Sequence, residues 1–277
     1  MEMVTNGRHR KAGALTAGAL TAGALTAVVI ALFALRAGSS AVPIATPVRQ
    51  FRVSVIATYP HDPTAFTEGL EIAHGRLYES VGLANRSDVR EVELRTGKVL
   101  RRAPLPGKVF GEGLAILRDG SLVQLSWKNG RAFSWTPELK AKGEFVYRGE
   151  GWGLCFEPRH NILVQSDGSS TLTMRDPRTF KVMRQLKVTR DGKDVRKLNE
   201  LSCDGDSVLA NEWLTNRILR ISLDTGAVFS QIDASGLGPK ERDGNDVLNG
   251  IAELPNGHWL LTGKRWPMLY EVTFQPT

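Results

Sequence analysis

One short unit recurs five times along this chain, and that recurrence restricts the fold more than any other feature. A polar or aromatic residue is followed by Gly or Glu, then by Leu or Ile, then by a β-prone run, a turn and a second β-prone run. The copies are Thr67-Glu68-Gly69-Leu70, Gly111-Glu112-Gly113-Leu114, Gly151-Trp152-Gly153-Leu154, Leu198-Asn199-Glu200-Leu201 and Leu248-Asn249-Gly250-Ile251. They begin 44, 40, 47 and 50 residues apart. Each is followed by a turn-rich break, as at Ala73-His74-Gly75, Arg118-Asp119-Gly120 and Pro255-Asn256-Gly257. Asn, Asp and Gly supply the backbone conformations that hairpin turns need. A second turn, such as Leu94-Arg95-Thr96-Gly97 or Asp176-Pro177-Arg178-Thr179, marks the outer half of most units. Each unit thus offers four short strands, which is one propeller blade. The spacing predicts an all-β, five-bladed β-propeller with four-stranded antiparallel blades. The last unit ends one strand short, after Leu269 to Phe274, while a spare strand, Phe51 to Ala57, precedes the first. That N-terminal strand is predicted to complete the last blade and close the ring, which removes exposed sheet edges. Helix signals are nearly absent after residue 50.

Before the repeats the chain has a different character. Arg8, Arg10 and Lys11 precede a segment, Ala12 to Leu35, without a charge. It reads AGALT three times and then AVVIALFAL, followed by small residues through Ala41. This is an export pattern, either a cleaved signal peptide or an uncleaved anchor long enough to span a bilayer. Residues 1–41 are read as signal or anchor, 42–50 as linker and 51–277 as the catalytic propeller. The basic flank would place the propeller outside the cytoplasm, periplasmic or secreted, with a membrane tether through residues 12–35 if the segment is retained.

The formal charge is +7. With no basic run interleaved with aromatics, nucleic acid is not an expected partner. Cys155 and Cys203 are the only cysteines. They lack metal-ligand spacing, and either one disulfide or two buried thiols fits. A closed propeller needs no second copy, so a monomer is expected.

Equivalent repeat positions in a propeller form rings around its axis. The residue before the Gly/Glu-Leu step is Glu68, Glu112, Trp152, Asn199 and Asn249. Carboxylates, amides and an indole converging there suggest a site rather than a plain solvated channel. The ends of the second strands add Trp127, Trp213, Lys264 and Trp266. Four Trp beside Glu and Lys describe an aromatic pocket with a few polar groups. Trp135 and Trp259 lie off these positions and read as packing.

These motifs are similar to those of a known family. FTEGL (66–70), FGEGL (110–114), LSWK (125–128), EGWGL (150–154), QSDGS (165–169), LNEL (198–201), NEWLTNRILRI (211–221) and the run from Asp246 to Val272 resemble the plant and bacterial glutaminyl cyclases, in that family's order. Plant members tend to carry Gln where Glu68 stands. The resemblance implies a five-bladed propeller and an acyl transfer without metal or cofactor. The α-amine of an N-terminal glutamine attacks its own side-chain amide, ammonia leaves and pyroglutamate remains. The expected partners are therefore peptides or proteins with N-terminal glutamine.

That chemistry needs proton transfer from the amine to the leaving nitrogen, and a donor for the oxyanion. The resemblance and the ring position assign the proton shuttle to Glu112. Asn199 and Lys264 are expected to hold the amide oxygen. Glu68 is expected on the α-ammonium, with Phe66, Phe110, Trp127, Trp152, Trp213, Trp266 and Asn249 forming the rest of the substrate pocket. Two other classes stay open. Two Glu and two Asn could hold a divalent cation in a lactonase-like hydrolase, and a propeller can be a binding scaffold without turnover.

Overall fold

The computed structural model describes residues 47–240 and 243–277. The readings on residues 1–41, and the linker up to 46, lie outside the described residues. Strand β1 (Arg49–Pro60) is first. It starts two residues inside the stretch read as linker, because Arg49 and Gln50 pair with Ser230 and Gln231 and are thereby drawn into a sheet.

Three four-stranded sheets follow, each antiparallel and each in chain order. The first holds β2 (Thr67–Ala73), β3 (Arg76–Val81), β4 (Asp88–Val92) and β5 (Val99–Pro104). The second holds β6 (Gly111–Ile116), β7 (Leu122–Ser126), β8 (Arg131–Trp135) and β9 (Ala141–Val146). The third holds β10 (Leu154–Glu157), β11 (Ile162–Gln165), β12 (Thr171–Arg175) and β13 (Val182–Lys187). A small hairpin, β14 (Thr189–Arg190) with β15 (Lys193–Asp194), leads to β16 (Leu198–Asp204), β17 (Ser207–Glu212), β18 (Arg217–Ser222) and β19 (Val228–Asp233). The chain ends with β20 (Leu248–Glu253), β21 (Trp259–Gly263) and β22 (Met268–Pro276).

The last two units are joined. They form one eight-stranded sheet in the order β16-β17-β18-β19-β1-β22-β21-β20. Strand β1 runs antiparallel to β22, with Phe51 opposite Pro276, and parallel to β19, with Phe51 opposite Ile232. The architecture is all-β, with several four-stranded antiparallel sheets in a propeller-like arrangement.

Burial grades across each sheet. Among the first strands, β6 is buried along almost its whole length, while the fourth strands β5, β9 and β13 are mostly exposed. The apolar core lies between sheets. Leu114, Leu122, Phe133 and Trp135 of the second sheet pack with Tyr78 and Val89 of the first. Glycine permits close approach of the first strands: a Cβ on Gly113 would lie 2.4 Å from the Leu154 nitrogen, and one on Gly153 would lie 2.1 Å from the Asn199 carbonyl oxygen. This explains the Gly in the Glu-Gly-Leu step. Cys155 of β10 and Cys203 of β16 form a disulfide, which settles the alternatives left by sequence.

Candidate active site

The recurring motif is also where the ladders break. Pairing shifts register between Thr67 and Gly69, between Gly111 and Leu114, between Leu198 and Leu201 and between Leu248 and Ile251. Such bulges re-aim side chains out of the regular alternation. Glu68, Glu112 and Asn199 sit in these bulges, and all three line one cavity of about 500 Å³ with Phe66, Phe110, Trp127, Trp152, Trp213 and Lys264. Ser80 donates its hydroxyl hydrogen to the Glu112 carbonyl and accepts from Gln124 Nε2 at 2.7 Å, fixing the strand behind the carboxyl.

The polar floor of the cavity is a buried trio. Lys264 Nζ lies 2.7 Å from Glu68 Oε1, and its ammonium sits 4.7 Å from the Phe66 ring centre. Asn249 Nδ2 donates to Glu68 Oε2 at 3.2 Å and to the Thr67 carbonyl at 2.9 Å. The Glu68 and Glu112 carboxyls influence each other electrostatically. A proton on one of two neighbouring carboxyls relieves their repulsion. Burial pushes Glu68 up, while Lys264 opposes the shift. Burial pushes Glu112 well above the usual carboxylate range, and the charge of Glu68 adds to that. Both influences favour the protonated form of Glu112, while Lys264 favours the ionised form of Glu68.

The walls are aromatic. Phe66 meets Phe110 edge to face at 6.1 Å, and Phe110 meets Trp127 at 5.7 Å. Across the cavity Trp152 meets Trp213 edge to face at 5.4 Å.

Two residues read as substrate contacts are placed elsewhere. Trp266 is fully buried in the core beneath, against Tyr270, with its indole N–H donated to the Asp246 carbonyl at 3.0 Å. Gly238 and Gly263 leave the space that its ring fills, and Arg265, at φ 58°, reverses the chain just before it. Asn249 lies behind Glu68 rather than on the cavity wall.

Several lining residues are not among the candidate contacts read from the sequence: Leu83, Asp243, Asn245 and Arg265. Arg265 lies 5.3 Å from the Phe66 ring centre and pairs with Asp246 at 2.6 Å. Its place beside Lys264 in TGKRWP was the available signal. Glu150 was also missed. Its Oε2 accepts both the Trp127 and Trp152 indole N–H groups, at 2.8 and 3.0 Å. It belongs to the EGWGL motif but to no repeat-equivalent ring.

The chain is similar to known proteins in sequence and in fold. A sequence model described as glutamine cyclotransferase matches residues 25–274. The chain is 40% identical over 228 residues to a glutaminyl-peptide cyclotransferase of Arabidopsis thaliana, spanning 79% of this chain and 70% of that one. A crystal structure of Myxococcus xanthus glutaminyl cyclase superposes with a TM-score of 0.77 at 35% identity, covering 83% of this chain and 99% of that one. A carboxyl pair countered by lysine in an aromatic cavity, on a chain matched over nearly all of its repeats, places this protein in the glutamine cyclotransferase family.

Proposed function

We propose that the cavity cyclises the N-terminal glutamine of peptides and proteins to pyroglutamate with release of ammonia, with Glu112 as the proton shuttle and no metal. The observation that carries this reading is the Glu112–Glu68–Lys264 trio at the floor of an aromatic cavity.

The protonated state of Glu112 sets the order of steps. An α-amine has an ordinary pKa of about 8, so a neutral fraction is present near neutrality. Its lone pair attacks the side-chain carbonyl carbon, forming the ring C–N bond and a tetrahedral oxyanion. Lys264 and Asn199 face the cavity and offer N–H groups to that oxygen. The Glu112 O–H protonates the departing nitrogen, the C–N bond of the amide breaks and ammonia leaves. The Glu112 carboxylate then takes the extra proton from the ring nitrogen, which restores the starting state. Glu68 stays ionised against Lys264 throughout. The reaction is intramolecular, so much of the acceleration lies in folding the side chain into its ring-closing conformation between the aromatic walls.

The metal-hydrolase alternative is less well supported by this trio. A hard cation needs anionic oxygen ligands, but the proton on Glu112 and the ammonium of Lys264 already neutralise the two carboxyl groups of the cavity floor.

We further propose a five-bladed ring of sheets with β1 as its closing strand. The first strands support it: β2 neighbours β6, β6 neighbours β10, β10 neighbours β16, β16 neighbours β20, and β20 neighbours β2. On this reading the eight-stranded sheet is two blades joined through β1, and the protein acts as a monomer. The Cys155–Cys203 bond favours an oxidising compartment. Together with the basic and apolar N-terminal pattern it supports a periplasmic or secreted location, with residues 12–35 as a removable signal or a tether.

The test is ammonia release from a Gln-initiated dipeptide amide, with and without excess chelator, beside E112Q. Release that survives chelator and vanishes in E112Q supports both function and shuttle. Absence of release from any Gln-initiated peptide sinks the reading, and chelator-sensitive ester hydrolysis would favour the metal site.

A further inference from the structure

The five aromatic rings of the cavity fall into two arcs. Phe66, Phe110 and Trp127 touch in sequence, and Trp152 touches Trp213. Among the described residues no ring contact joins Trp127 to Trp152, which follow β7 of the second sheet and precede β10 of the third. The bridge between the arcs is one oxygen atom. Glu150 Oε2 accepts the Trp127 indole N–H at 2.8 Å and the Trp152 indole N–H at 3.0 Å.

The surroundings hold this carboxylate in place. Its own carbonyl accepts from Gln165 Nε2 at 3.0 Å, and the next residue, Gly151, donates its N–H to the Trp127 carbonyl at 2.9 Å. Lys128 Nζ lies 3.5 Å from Glu150 Oε1 and 4.0 Å from the Trp127 ring centre. Burial raises the Glu150 carboxyl, but the two indole N–H groups and Lys128 outweigh it and hold the group below its ordinary value. An ionised oxygen accepts more strongly than a neutral one, so the two rings are held by a charge-assisted pair of bonds.

We propose that Glu150 is a positioning residue of the active site, whose single oxygen Oε2 locks the Trp127 and Trp152 rings together and thereby sets the width of the glutamine pocket. The inference rests on the cyclotransferase reading. Glu150 need not touch the substrate; it acts through the two indoles. A displacement of about 1 Å in a near-attack geometry costs up to about 100-fold in rate, so a released ring pair should reduce turnover.

Three variants of the full chain test this, E150A, E150M and E150Q, with kcat and KM for a Gln-initiated dipeptide amide, tryptophan emission and thermal midpoint measured for each. E150A is expected to lose about tenfold or more in kcat/KM, with most of the loss in kcat, and to shift the tryptophan emission. E150M matches the length of glutamate without an acceptor, and should behave like E150A. E150Q keeps an oxygen that can accept both N–H groups, and should return kcat to within about threefold of the wild type, because it restores the bonds if not the charge. A folded E150A or E150M with wild-type kcat, even at a lowered midpoint, would overturn the proposal. Equal losses in E150Q and E150M would also overturn it, since charge rather than the two bonds would then matter. Failure of both E150A and E150M to fold would make Glu150 structural and overturn the positioning role. Should the wild type itself release no ammonia, the functional reading fails separately, and unchanged tryptophan emission in folded E150M would then reject the clamp on its own.

Discussion

Glu112 and Glu200 occupy neighbouring positions of the same repeat unit, and the contrast between them separates chemistry from architecture. Glu112 precedes a Gly-Leu step, while Glu200 takes the place of that glycine in the fourth copy. Both are buried, and both are pushed well above the ordinary carboxylate range, in each case first by burial. Glu200 accepts the Leu70 N–H at 3.3 Å, so it links its strand to β2. Its second influence is the nearby negative charge of Glu71. Glu112 instead faces a cavity, feels the charge of Glu68 and has Lys264 close by. Burial and a raised pKa therefore do not identify a catalytic acid; an adjoining space for substrate and a partner that manages charge do.

The strongest way to break that contrast is the pair E112Q and E200Q. E112Q should lose about 1,000-fold in kcat while its thermal midpoint stays close to wild type, because a neutral carboxyl is replaced by a neutral amide. E200Q should keep kcat within about twofold. Ammonia release decides, and comparable losses in the two variants would erase the distinction. The next largest effect is expected in K264A. It leaves the Glu68 carboxylate buried without its ammonium, and breaking such a pair costs about 3 kcal/mol. Urea unfolding measures this, and an unchanged midpoint would mean that Lys264 does not counter Glu68.

E68Q sharpens the cavity side. Activity should rise as the substrate amine loses its proton and fall as Glu112 loses its own, giving a bell-shaped pH profile. Removing the Glu68 charge takes away a cause that raises Glu112 and leaves Lys264 to favour its ionised form. Tyr147 and Glu150 also interact electrostatically with Glu112 and are unchanged in this variant. The alkaline limb of kcat/KM should move to lower pH in E68Q, and a limb that stays in place would exclude the influence of Glu68 on Glu112. The smallest effect is expected in the stability of E200Q against pH. The Glu200 carboxyl is raised in the folded state, so the folded chain binds the proton more tightly than the unfolded one. Its contribution is full below the unfolded pKa and is lost as pH rises through the folded value. E200Q should therefore lose less stability than wild type as pH is raised above about 4.5, the ordinary value for this group. Parallel curves for the two proteins would place the raised pKa elsewhere.

Much of this was legible in the sequence, for a physical reason. Each repeat carries its own turns and its own glycine contact, so its first strand begins where local chemistry says it must, as at Thr67, Gly111 and Leu248. The cavity residues Glu68, Glu112, Trp152 and Asn199 share a repeat position, and bulges re-aim Glu68, Glu112 and Asn199 toward one place. What was not legible depends on partners far along the chain. The parallel register of β1 on β19 has no local signature. Trp266 occupies a repeat-equivalent position, yet the reversal at Arg265 and the space beside Gly238 turn it into the core. Glu150 lies in a connection between strands, where repeat symmetry gives no information.

The pairing of β1 has a consequence for how the molecule is made. Phe51 emerges from the ribosome before the three independent sheets, yet its antiparallel partner, Pro276, follows all of them. Contacts so distant in sequence form late because the loop they close is long. The earliest strand must wait, unpaired and alternately apolar, while the three independent sheets assemble around their own hairpins. Its amides should therefore gain protection from hydrogen exchange last during refolding, and loss of β22 should leave β1 with only its short parallel pairing to β19.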